Sequence, residues 1–218
     1  MTRKAVIFDL DGTLLDTLQD IADSANFALS CFGYPQHDVS AFRYFVGDGV
    51  EMLATRSLPE NARDKKTIEK LTDCINEAYS KRWANKTRPF PGITELLNTL
   101  TARGIALAVL TNKRQEFAEA TVLKLLPDWH FEVIIGARPS LPKKPNPEAA
   151  LLLAGQMKLA PADFLYLGDS GVDMKTAVAA GMYPVGALWG FRTADELMDG
   201  GAKALVKTPA DVLPLLDN

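Results

Sequence analysis

Two carboxylates two residues apart, Asp9 and Asp11, follow an uninterrupted apolar run, Ala5-Val6-Ile7-Phe8. In extended backbone such a pair leaves the chain on one face, and Gly12 then permits a tight turn. Like charges placed together at the end of a buried strand must be offset by a cation, by protonation, or by a substrate that uses them. The apolar run has no polar alternation, which suits a strand covered on both faces of a parallel sheet. Three further chemical groups recur downstream in similar settings. Thr111-Asn112 ends the apolar run from Ile105, Lys144 stands in Lys144-Pro145-Asn146-Pro147, and Asp169 and Asp173 frame Gly168-Asp169-Ser170-Gly171-Val172-Asp173 after Phe164 to Leu167.

These four motifs, in this order, resemble the haloacid dehalogenase-like superfamily, and within it the phosphoglycolate phosphatase branch. The resemblance implies a covalent phosphatase chemistry. Asp9 would be the nucleophile and Asp11 the general acid and base, first protonating the leaving alkoxide and then activating water. It implies Mg2+ held by Asp9, Asp169, Asp173 and the backbone carbonyl of Asp11. Lys144, Thr111, Asn112 and the turn amides around Gly12 and Thr13 would stabilise the phosphoryl oxygens.

Each group also has a plainer role. Asn112-Lys113-Arg114-Gln115 and Ser170-Gly171-Val172-Asp173 both have capping-box spacing, so helix initiation is expected at each. In Lys144-Pro145-Asn146-Pro147, Asn146 can cap and Pro147 can take the first helical position, which would fix the loop that carries Lys144. The metal role of Asp173 rests on the resemblance.

The elements that must bring these groups together are those of an α/β chain. Strand and helix signals alternate from Ile93 to the carboxyl end: strands at Ile105 to Leu110, Phe131 to Ile135, Phe164 to Leu167, Tyr183 to Ala187 and Ala204 to Val206, with helical stretches between them. This predicts a doubly wound, mostly parallel Rossmann-like sheet, whose carboxyl edge is where ligands bind. Between Asp16 and Lys86 no convincing strand occurs. Thr17-Leu18-Gln19-Asp20 has capping-box spacing before a helix to about Phe32, Val50 to Leu58 reads as another, and Pro59 to about Trp83 as the longest. The expected organisation is a catalytic core of residues 1–15 and 88–218 with an all-helical insert, residues 16–87, which the resemblance makes a cap over the site. Gly47, Gly49 and Arg56 of that insert resemble the substrate-side loop and helix of phosphoglycolate phosphatases. Arg56 is read either as a contact to the substrate carboxylate or as a brace of the insert against the core. Ala187-Leu188-Trp189-Gly190-Phe191 resembles their late core loop.

Composition narrows the classes. The 218 residues carry 24 basic and 27 acidic side chains, a formal charge of -3, with no block of either sign. No cationic surface for nucleic acid or anionic membrane is implied. No apolar stretch approaches a membrane span, and Met1-Thr2-Arg3-Lys4 leads straight into the first strand, so the expected location is the cytoplasm. Cys31 and Cys74 form neither a disulfide framework nor a metal motif. The expected partner is a small phosphorylated metabolite, with no nucleic acid and no membrane, and the chain is expected to be a monomer or homodimer.

Among competing functions, a phosphatase of sugar phosphates, nucleotides or pyrophosphate would use the same core. A phospho-accepting receiver or a binding protein on this fold would also gather acids, Thr and Lys, but a receiver is shorter and lacks a helical insert. A dinucleotide-binding dehydrogenase is disfavoured, because the first strand leads into acid instead of G-x-G-x-x-G.

Overall fold

The computed structural model describes residues 3–217. The chain divides into two compact units, Met1–Leu15 with Pro89–Asn218, and Asp16–Arg88. In chain order the elements are β1 (Ala5–Phe8), β2 (Leu15–Asp16), α1 (Leu18–Cys31), α2 (Phe42–Phe45), α3 (Val50–Ser57) and α4 (Lys65–Ser80). They continue with β3 (Arg88–Pro89), α5 (Ile93–Ala102), β4 (Ala106–Arg114), α6 (Gln115–Leu125), β5 (Val133–Ala137) and α7 (Glu148–Gln156). The remainder is β6 (Phe164–Gly168), α8 (Gly171–Ala179), β7 (Tyr183–Ala187), α9 (Ala194–Asp199), β8 (Ala204–Val206) and a 3-10 turn over Pro209–Leu216.

The first unit is built on a six-stranded sheet ordered β5-β4-β1-β6-β7-β8. All five of its strand pairings are parallel. Its buried side chains divide by strand parity. Val6, Phe8, Leu107, Val109, Leu165 and Leu167 enter one apolar cluster, while Ala5, Ile7, Ala108, Leu110, Phe164 and Tyr166 enter the other. Covering on both faces is why these strands read as continuous apolar runs in the sequence. Strand order reverses around β1, which has β4 on one side and β6 on the other. That is the switch point at which a crevice opens beyond the carboxyl ends of the strands. β1, β4 and β6 deliver Asp9, Thr111 and Asp169 there.

The second unit is helical, apart from its ends. The two passages between units, β2 and β3, pair as a short ribbon. The α1 stripe of Ile21, Ala25, Ala28 and Leu29 is buried, as are Leu71, Ile75 and Tyr79 of α4. Asp20 of α1 accepts hydrogen bonds from Lys86 N, at 2.9 Å, and from Thr87 N and Thr87 Oγ1, at 2.8 and 2.7 Å. This commitment corrects the expected Thr17 capping box. The carboxylate that would close the box faces residues 86 and 87 instead, and Thr17 Oγ1 is buried without a hydrogen-bond partner.

Other boundaries also shift. The longest helix begins at Lys65, capped by Asp64 accepting from Thr67 N at 3.1 Å, because Glu60–Ala62 forms a separate 3-10 turn after Pro59. The expected helix from Lys113 begins at Gln115. β4 continues four residues past Leu110, with a register irregularity between Leu110 and Arg114 that lets the strand stay paired with β5. Among the described residues no helix is long and apolar enough to cross a membrane.

Candidate active site

Asp9 follows β1 directly, and its amide donates to Leu167 O at 2.9 Å, so the residue is held as a continuation of the strand pairing with β6. The chain then closes a tight loop in which Gly12 N donates to Leu15 O and Leu15 N to Leu10 O. Gly12 sits at a φ of 94°, and a Cβ there would collide with the Asp169 carboxylate. Glycine is required on both counts. A Cβ on Gly190 would collide with Asp169 and with Gly12 O as well.

Asp169 is thus gripped between two loops. Thr13 Oγ1 donates to its Oδ1 at 3.1 Å and Phe191 N to its Oδ2 at 2.8 Å. Trp189 Nε1 donates to Thr13 O at 3.0 Å, tying the late loop to the first acidic turn. The Thr13 hydroxyl is fully buried and supports Asp169.

Asp173 caps α8 as the spacing predicts. Ser170 Oγ accepts from Asp173 N, and Asp173 Oδ2 accepts from Ser170 N at 3.1 Å and Ser170 Oγ at 2.5 Å. Its other oxygen accepts from Lys144 Nζ at 2.6 Å. That ammonium also donates to Leu110 O at 3.1 Å and lies 2.9 Å from Asp9 Oδ1. The contact with Asp9 is an ion pair without hydrogen-bond geometry, which leaves Asp9 Oδ1 buried and unsatisfied by hydrogen bonds.

Lys144 is positioned by Asn112. Asn112 Oδ1 accepts from Lys144 N at 2.9 Å and Asn112 Nδ2 donates to Lys144 O at 3.2 Å, a two-point clamp across the loop. Asn112 therefore does not cap α6, because β4 runs past it and its side chain turns to the lysine loop. Asn146 Oδ1 accepts from Glu148 N at 2.8 Å, while Pro147 occupies the cap position of α7, one place earlier than expected. Thr111, also buried, accepts from Lys113 N at 3.2 Å.

Asp9, Asp169 and Asp173 offer three oxygens within 4.8 Å of one another, all from buried residues. Two of these three, Asp9 and Asp173, pair with the Lys144 ammonium. Burial first, then the charges of Asp173 and Asp11, raise Asp9 to about 7 against the opposing pull of Lys144. Burial, with Asp9 and Asp173, likewise holds Asp169 well above the usual carboxylate range. Burial pulls the Lys144 ammonium down, but Asp173 and Asp9 together set it well above an ordinary lysine. A hard cation with oxygen ligands fits this excess of buried acid, including the unsatisfied Asp9 oxygen. The Asp11 carboxylate stands outside the three-acid group and meets a second lysine, Lys113, at 2.8 and 3.1 Å.

Sequence reasoning passed over Lys113. The signal lies in the residue after Thr111-Asn112, whose polar run has the spacing of a helix start. Tyr166 was also passed over: its hydroxyl is buried without a well-formed hydrogen bond, and burial raises its pKa well above the usual value even though Lys144 opposes this. Its position in an apolar strand gave no sign of this.

Gly47, Gly49 and Arg56 lie in the helical unit. Gly47 and Gly49 have φ of 119° and 90°, values that L side chains rarely adopt, so the turn before α3 requires them whatever else they do. Arg56 donates to Asp48 Oδ2 at 2.5 Å and to Phe45 O at 3.2 Å, so its guanidinium ties α3 to the loop before it. These contacts lie within the helical unit itself.

Comparison with known proteins gives consistent relationships. The family described as haloacid dehalogenase-like hydrolase matches residues 6–187. A phosphoglycolate phosphatase of Nitrosospira multiformis is 32% identical over 98% of this chain and 95% of its own length. One from Escherichia coli is 29% identical over 98% of this chain and 92% of its own length. A crystal structure from Lactobacillus delbrueckii subsp. bulgaricus superposes with a TM-score of 0.93 and 28% identity, covering 100% of both chains.

Proposed function

This chain belongs to the haloacid dehalogenase-like hydrolase family, and we propose that it is a Mg2+-dependent phosphomonoester hydrolase acting on 2-phosphoglycolate through an aspartyl-phosphate at Asp9. The observation that carries the reading is the buried group of Asp9, Asp169 and Asp173, two of them paired with the Lys144 ammonium, at the carboxyl edge of the sheet. Its relatives from Nitrosospira and Escherichia, named phosphoglycolate phosphatases, support the choice of substrate.

Asp9 would attack phosphorus through a carboxylate oxygen while the bond to the ester oxygen breaks, and Asp11 would give that oxygen its proton. Water then attacks phosphorus, Asp11 takes a proton from it, and the bond to Asp9 breaks to release phosphate and restore the carboxylate. Lys144 and Thr111 would hold the phosphoryl oxygens. Asn112, through its clamp on the lysine backbone, keeps that ammonium aimed. Asp9, Asp169, Asp173 and the carbonyl of Asp11 would hold the Mg2+, which when bound lowers the repulsion between carboxylate and phosphate.

The raised acid makes cation binding pH-dependent in a defined direction. Asp9 moves from 3.8 to about 7. Between those values the folded protein keeps a proton that the unfolded chain releases, so the metal-free protein loses stability as pH rises through this window. Proton and cation compete for the same oxygens. Mg2+ should therefore raise Tm little near about pH 5 and clearly near about pH 8. Thermal melts with and without chelator at both values test this, and an equal rise at both would detach the cation from Asp9.

The substrate is tested on a panel of small phosphomonoesters with Mg2+. 2-Phosphoglycolate should show the highest kcat/KM. A preference of about tenfold or more for a sugar phosphate or nucleotide would overturn the substrate and leave the phosphatase chemistry standing.

A further inference from the structure

The second lysine has no part in the chemistry described so far. Lys113 Nζ donates to both oxygens of Asp11, at 2.8 and 3.1 Å, and its side chain is only 6% exposed. A lysine stem loses much rotamer freedom when it is buried this way, and an ion pair alone seldom repays that. Its place is fixed by the extension of β4 beyond Leu110, and by its backbone N–H on Thr111 Oγ1 at 3.2 Å. Residues 111, 112 and 113 thus supply in succession a hydroxyl, the clamp on the Lys144 backbone, and a second ammonium.

The two ammonium groups meet different acids. Lys144 meets Asp9 and Asp173, and Lys113 meets Asp11. Asp9 is the nucleophile's side of the reacting phosphorus, and Asp11 is the side from which the leaving oxygen must be protonated. A cation one hydrogen bond from Asp11 is therefore a cation beside the leaving group. In a two-carbon leaving group the carboxylate lies roughly 3 Å from the ester oxygen, about one hydrogen-bond length.

We propose that Lys113 is a specificity-determining residue that binds an anionic group on the leaving side of the phosphoester, the carboxylate in the case of 2-phosphoglycolate. The inference rests on the reading of Asp11 as the leaving-group acid. When substrate enters, the Lys113 ammonium exchanges one carboxylate partner for another, or is shared between them, at little desolvation cost because the partners are alike. A neutral leaving group offers no such exchange. Bringing a hydroxyl or amide against Lys113 leaves the ammonium no new charge partner, which is how a buried polar site rejects the analogue that cannot satisfy it.

The test compares 2-phosphoglycolate with 2-phosphoglycolamide, which differs by the charge and little in shape, on the parent, Lys113→Met and Lys113→Arg with saturating Mg2+. The parent should prefer the acid over the amide. Lys113→Met should lower kcat/KM on both, because Asp11 loses its neighbour, but should collapse the preference by roughly ten- to a hundredfold, the range of one charge-assisted hydrogen bond. The change should fall mainly on KM for the acid. Lys113→Arg, which keeps the charge, should keep most of the preference and so shows that any loss in the Met variant is not misfolding. Equal losses on acid and amide, with the preference unchanged, would reduce Lys113 to a support for Asp11 and overturn the inference while the substrate reading stands. If the parent instead favours a different ester whose leaving group carries another anion, and Lys113→Met removes that preference, the substrate reading falls and the inference stands. No charge preference in the parent overturns both.

Discussion

Asp9→Asn should leave a folded protein whose turnover is lower by roughly four orders of magnitude or more, the scale of loss when an attacking side chain is removed. The amide nearly keeps the shape of the acid but has no anionic oxygen for phosphorus. The same substitution should make the metal-free protein more stable above about pH 7. Asp9 is raised to about 7 because burial, then Asp173 and Asp11, disfavour its charge. In that pH range the parent must carry the Asp9 charge in a buried acidic group, and the variant does not. Lys144 keeps Asp173 and Leu110 O as partners. A gain in Tm together with a loss of turnover is the mark of a group placed for chemistry against the preference of the fold. Turnover close to the parent would end the covalent mechanism, whichever way Tm moved. Trapping a phosphorylated parent, and failing to trap one in the variant, gives the direct readout.

The parts of this site that could be read from the sequence are those set by strand ends. Asp9, Thr111 and Asp169 each follow a run of apolar residues long enough to be a strand covered on both faces, and parallel topology brings such ends to one edge. The Ser170 box was legible because its two halves are local to one helical turn. The Thr17 box has the same spacing and failed, because Asp20 found three donors at residues 86 and 87, more than sixty positions away. Spacing records only the local competitor.

Lys113 and Asn112 were misread for a related reason. Four polar residues after an apolar run look like a helix start, yet pairing with β5 carries β4 through them to Arg114. Once the backbone stays extended, alternate side chains diverge, and Asn112 turns to the Lys144 loop while Lys113 reaches Asp11. Thr13 and Arg56 show the same limit from another side. Each is a polar residue beside a motif, and the structure finds each committed to a neighbouring acid, Asp169 and Asp48.

Lys144→Met tests whether the acidic group is held together by that one ammonium. Methionine keeps the length and the apolar stem and removes the charge. Lys144 is buried, pairs with Asp173 at 2.6 Å and Asp9 at 2.9 Å, and has its own pKa lifted well above an ordinary lysine by those two charges once burial is overcome. Because the folded-state value is raised, its stabilisation is present throughout the range below the ordinary lysine pKa and does not titrate away at neutral pH. Removing it leaves Asp173 and Asp9 buried without a counter-charge. The cost should be about 3–5 kcal/mol in chelator above about pH 7, the usual penalty for orphaning a buried charge. Towards about pH 5 it should shrink, since Asp9 then takes a proton instead. Mg2+ should return part of the loss, and adding Asp173→Asn to the variant should return part of it by another route, since the second change removes one orphaned charge. Turnover with saturating Mg2+ should still fall by roughly a hundred- to a thousandfold, because the cation replaces the charge near the acids but not the donor that Asn112 aims at the phosphoryl oxygens. Urea unfolding at two pH values reads the stability, and kcat reads the chemistry. A variant as stable as its parent at about pH 8 in chelator would mean that the three carboxylates are accommodated by something other than Lys144, and the electrostatic account of the site would fail with it.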